Sequence, residues 1–95
     1  MFIILLKFSD HKNQASEFMQ RHKDWLNRGF DECVFLVVGS LKPNMGGCII
    51  AHNTSVEELQ QRVKEDPFVA ENIVTAEILE ISANQADERL NFLLD

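Results

Sequence analysis

The hydrophobic and polar positions along the chain change period from two to 3.6 and back several times. In residues 1 to 8, Met-Phe-Ile-Ile-Leu-Leu-Lys-Phe, an extended backbone puts Phe2, Ile4, Leu6 and Phe8 on one face and Ile3 and Leu5 on the other. Neither face is wet, which predicts a central strand. Ser9, Asp10 and Asn13 then supply turn and helix-cap chemistry. After them Ala15, Phe18, Met19, His22, Trp25 and Leu26 fall within one helical arc, with His22 at its centre. Glu17, Arg21, Lys23, Asp24 and Arg28 point away from that arc, and Gly29 suits the left-handed position after the helix end.

From Cys33 to His52 two apolar, β-branched runs flank a segment holding Gly39, Pro43, Gly46 and Gly47. This predicts two central strands, about Cys33 to Val38 and Gly47 to Ala51, joined by a compact turn. In the first of them Phe35 and Val37 alternate with Val34, Leu36 and Val38, so both faces are again apolar. Ser55-Val-Glu-Glu58 matches a capping box and starts a second helix, with Val56, Leu59 and Val63 as its apolar stripe. Asp66-Pro67 ends that helix, and Asp66 is placed to cap a following turn of Pro67, Phe68 and Val69. Residues 72 to 81 predict a fourth strand whose charged positions mark an edge or a wetter face. Ser82-Ala-Asn-Gln85 offers a second capping box, and Ala86, Leu90, Leu93 and Leu94 recur at the spacing of a short amphipathic helix.

The resulting order, β-α-β-β-α-β plus a terminal helix, is an α+β split βαβ arrangement in which an antiparallel sheet carries two helices on one face. Three strands are apolar on both faces, so the uncovered face would be a large apolar patch in a monomer. A two-fold homodimer that packs sheet against sheet is the simplest cover. The length of 95 residues predicts a single domain, near the size at which help from a partner matters.

Charge narrows the partners. A formal net charge of −6 works against a surface that follows a phosphate backbone, so no nucleic acid is expected. The apolar start lacks a positive leader and meets Lys7 early, and no run reaches membrane-spanning length, so the expectation is no membrane and a cytoplasmic setting. Cys33 and Cys48 make no disulfide framework and complete no CxxC pair, which favours buried structural thiols. There is no GxGxxG after a strand, no P-loop and no His or carboxylate spacing that suits a metal, so neither cofactor nor metal is expected. His11 and His52 read as solvated, and the acidic residues Glu57, Glu58 and Glu65 as a solvated helix face.

His22 in the first helix, Gly39, Pro43, Gly46-Gly47 and then Asp66-Pro67-Phe68 occur in an order that resembles the YciI-like (YCII-related) proteins, members of the dimeric α+β barrel group that also includes muconolactone isomerase. The resemblance covers roughly residues 1 to 82 as a core and leaves 83 to 95 as an extension. It implies a ferredoxin-like fold, a homodimer and a pocket in which His22 and Asp66 form the active-site pair. Many relatives have Ser-Gly-Pro in place of Val38-Gly39-Ser40 and a basic residue in place of Asn44.

Each candidate has two readings. His22 is either a core histidine bonded to a carbonyl or a working imidazole, because burying a ring among Phe18, Trp25 and Leu26 requires partners for its nitrogens or a cavity beside one. Asp66 is an ordinary helix N-cap, an orienting carboxylate, or both. Ser40 serves the turn or donates into the pocket, and Trp25 and Phe68 are core or pocket wall. The leading expectation is a small-molecule enzyme whose His22 moves a proton, isomerase-like or lyase-like, with Asp66 fixing the tautomer. The alternative is a non-catalytic dimeric module, a ligand sensor or accessory subunit that uses the same pocket for binding alone.

Overall fold

A computed structural model describes residues 1–94, so Asp95 of the expected C-terminal extension lies outside the described residues. Four strands, β1 (Phe2–Phe8), β2 (Phe35–Leu41), β3 (Gly46–Ala51) and β4 (Val74–Glu80), form one sheet in the order β2-β3-β1-β4. Every neighbouring pair is antiparallel, as the split βαβ order requires. Three α-helices, α1 (Ala15–Asp31), α2 (Val56–Lys64) and the short α3 (Pro67–Ala70), supply Trp25, Leu59, Val63 and Phe68 to the core. The sheet contributes Phe2, Ile4, Leu6, Phe35, Ile49, Ala51 and Val74, which locates the core between the helices and one sheet face.

The capping box forms as the spacing predicts: Ser55 Oγ accepts from the Glu58 amide at 3.1 Å, and Glu58 Oε1 accepts from the Ser55 amide at 3.3 Å. Asp66 caps α3 with its side chain, and Pro67 occupies the first helical position. Two ties hold α1 to α2. Trp25 Nε1 donates to the Arg62 carbonyl at 3.0 Å, and Arg62 Nη2 meets Glu32 Oε1 at 2.6 Å.

Six local expectations need correction. β2 lies at an edge of the sheet and not at its centre, and Cys33 is exposed and Cys48 half-buried where the sequence favours buried thiols. Gly29 does not end the first helix but lies buried inside it, because α1 continues to Asp31 and Cys33 takes the left-handed turn at φ 62°. Ser9 supplies the expected turn chemistry, its Oγ accepting from the His11 amide at 3.1 Å and donating to the Asn72 carbonyl, but no side chain caps α1, because a 3₁₀ turn, Lys12–Gln14, feeds straight into the helix. In β2 the register shifts by one between Phe35 and Val37, so the simple alternation fails. Phe35 pairs with Ala51 and points to the core, Val37 pairs with Ile50 on the opposite face, and Val38 and Ser40 return to the core side. Finally, residues 83 to 94 do not form an amphipathic α-helix. Ala83 bridges Leu94, and Glu88–Leu93 makes 3₁₀ turns broken at Leu90 and started by Asp87, whose carboxylate accepts from the Arg89 amide at 2.9 Å. Leu90, Phe92 and Leu94 stay exposed, so this short segment lacks the burial that holds a helix of its length. The Arg89 side chain and amide hold the Asp87 carboxyl below its ordinary pKa.

The hairpin between β2 and β3 requires glycine at one position. Gly46 has φ 130°, and a Cβ there would lie 1.9 Å from the Leu6 carbonyl oxygen.

Candidate active site

His22 projects from the middle of α1, and Asp66 sits at the break between α2 and α3. Proline at position 67 disfavours helical geometry at Asp66 and leaves it extended, at φ −63° and ψ 123°. That turn brings the two residues together: His22 Nδ1 lies 2.7 Å from Asp66 Oδ1. The same Oδ1 accepts from the Phe68 amide at 3.1 Å, so one carboxylate oxygen caps α3 and holds the imidazole. Asp66 is fully buried, and its Oδ2 has no hydrogen-bond partner among the described residues. In the neutral ring a carboxylate acceptor on Nδ1 favours the proton there and leaves Nε2 with its lone pair. Nε2 makes no hydrogen bond among the described residues.

Aromatic rings set the imidazole plane. Phe68 stacks on His22 with centroids 4.0 Å apart and planes 3° from parallel, and Trp25 lies on it at 6.0 Å and 26°. The side chain of His22 is 12% exposed, and that exposure opens into a cavity of about 300 Å³. The cavity lies between α1 and the end of the sheet where β1 meets the β2–β3 hairpin. Leu6, Phe8, Leu26, Val38 and Phe68 make it apolar, and Ser40 and Lys23 bring polar groups to it. Its size is at the low end of small-molecule sites, about 300 to 1,000 Å³.

The structure thus brings His22, Asp66, Phe68 and Ser40 to one place. Trp25 stands behind His22 in the core, 1% exposed, and does not line the cavity. Three contributors escape a sequence reading. Val38 reaches the cavity only through the bulge in β2. Met19 lines it despite partial exposure, and Lys23 lines it although the helical arc sets it off the apolar stripe. The one available signal for Lys23 is its spacing of four residues from Met19. Among the described residues no three His, Cys, Asp or Glu side chains converge as metal ligands.

With this geometry in hand, a family model for the YCII-related domain matches residues 1–82. The chain belongs to the YCII-related family. Residues 83 to 95 of this YCII-related chain fall outside the match. A sequence search of curated proteins finds no match. Among solved structures, 5-chloro-2-hydroxyhydroquinone dehydrochlorinase (TftG) from Burkholderia phenoliruptrix AC1100, in complex with 2,5-dihydroxybenzoquinone, is similar at a TM-score of 0.72 and 17% identity. The likeness covers 85% of this chain and 92% of that one. It shows the shared fold, a ferredoxin-like α+β architecture.

Proposed function

We propose that this YCII-related protein is a small-molecule enzyme in which His22 takes or delivers a proton through Nε2 while Asp66 holds the Nδ1 proton. The observation that carries the reading is the 2.7 Å bond between Nδ1 and Asp66 Oδ1, with the ring opening on an apolar cavity. A buried acceptor fixed by a helix break keeps the ring in one tautomer and orientation, as a general base requires. Ser40 adds a hydrogen-bonding hydroxyl on the opposite wall. The name of the structural neighbour, a dehydrochlorinase, supports lyase-like chemistry on a small ring: loss of a proton to the imidazole and departure of an anion. The setting in this reading is the cytoplasm. No helix among the described residues is long and apolar enough to cross a membrane.

The working unit in this proposal is a homodimer. The sheet face turned away from the helices carries Ile3, Leu5, Val37, Leu41, Ile50 and Leu79, of which Val37 is 54% exposed. A second copy packed on this face would cover it.

The test is a comparison of wild type with His22→Asn. Each is incubated with 5-chloro-2-hydroxyhydroquinone and with small cyclic ketones, following chloride release and solvent deuterium uptake. Proton transfer by His22 predicts a loss of about 10²-fold or more in a variant that stays folded. Turnover by His22→Asn at the wild-type rate, or a fall that only tracks the folded fraction, would overturn the catalytic reading and leave a binding module.

A further inference from the structure

We infer that the cavity selects a small apolar monoanion, with Lys23 as the residue that sets the charge preference; this rests on the proposed function and names its substrate class. The lining is asymmetric in charge. The chain carries 15 Asp and Glu against 9 Lys and Arg, yet no carboxylate lines the cavity, and of its ionisable lining residues, Lys23, His22 and Cys48, Lys23 alone is a full-time cation. Lys23 and His22 are adjacent on α1, and Met19 and Leu26 flank them at three- and four-residue spacings, so the four present one wall.

Lys23 is also unengaged. Its ammonium makes neither an ion pair nor a hydrogen bond among the described residues, whereas Arg62 is paired with Glu32. A lysine stem lies along apolar surface while its head stays at the wet edge, which suits a ligand whose body enters the cavity and whose charge remains at the mouth. One ammonium matches one negative charge. The glycines at the hairpin, Gly46 and Gly47, lead into a strand and not a helix, so no dipole end gathers here for a multiply charged phosphate. Beside His22 the same charge has a second use. An acid that becomes more anionic as its proton leaves for Nε2 is stabilised by a cation beside it.

The experiment compares an anion with its uncharged isostere: benzoate against benzamide, titrated calorimetrically into wild type and Lys23→Met, with circular dichroism as the check on folding. Wild type is expected to bind benzoate about fivefold tighter than benzamide, the scale of a partly exposed ion pair. Lys23→Met keeps the apolar stem and is expected to erase the preference. Equal affinity of wild type for the two probes, an intact preference in Lys23→Met, or no saturable benzoate binding at millimolar concentration would each overturn the inference. The readout is equilibrium binding, so a failure of proton transfer by His22 would show in turnover and leave this result in place.

Discussion

Asp66 Oδ1 accepts two hydrogen bonds, one from the Phe68 amide and one from the imidazole, while Oδ2 accepts none among the described residues. A buried oxygen left bare costs free energy, about 1 to 3 kcal/mol, and such a cost persists where the arrangement serves something else. Asp66→Asn separates the two jobs. The amide oxygen still caps α3 and still faces Nδ1, but the fixed negative charge behind the imidazole is gone. The variant is expected to melt within a few degrees of wild type and to lose about 10²-fold or more in turnover. Thermal melting beside turnover on any substrate the wild type accepts measures both. In the sequence, His22 stood out because it interrupts an apolar stripe, and Asp66 because proline follows it. Their 2.7 Å meeting was an expectation of topology plus resemblance, since no local spacing links residues 44 positions apart.

Among the elements, boundaries were read less well than identities, and the reasons are local contacts between elements. Gly29 looks like a helix stop, but it is a glycine because β2 passes close by: a Cβ on it would lie 2.1 Å from the Phe35 ring. That ring cannot swing away easily, being 2% exposed and packed edge-on against Trp25 at 5.2 Å and Phe30 at 6.1 Å. Gly29→Ala gains helix propensity of up to about 1 kcal/mol. The overpacking costs about 1 to 3 kcal/mol, so the net expectation is destabilisation. Denaturant unfolding would record a lower midpoint, and a higher one would show that the ring relaxes. The bulge after Phe35 was equally hidden, because a register shift depends on the partner strand and leaves the run Phe-Leu-Val-Val unchanged in its own pattern. The C-terminal segment shows the reverse error. Its apolar spacing is helical, yet Leu90, Phe92 and Leu94 find too little surface to bury against.

For the whole molecule, the two-sided hydrophobicity of the strands was legible at once, and with it the demand for a cover on the second sheet face. The expected outcome is a dimer at micromolar concentration, twice the chain mass of 10.9 kDa by light scattering. Its interface should bury more than about 1,600 Å² in total. Replacing Val37 and Leu79 by lysine puts charge on that face without touching the cavity, and should shift the mass toward a monomer. An unchanged mass in the double variant would place the contact elsewhere.

Trp25 gives the protein a built-in optical reporter. The chain has one tryptophan and no tyrosine, so ultraviolet-excited emission comes almost wholly from a single indole, and that indole is buried with its ring stacked 6.0 Å from His22. Its emission should be blue-shifted by burial. A ligand entering the cavity against the imidazole should perturb that emission. Emission unchanged by a saturating cavity ligand would mean that the indole does not sense the ring beside it. Occupancy of the site thus becomes readable by fluorescence before any substrate has been found.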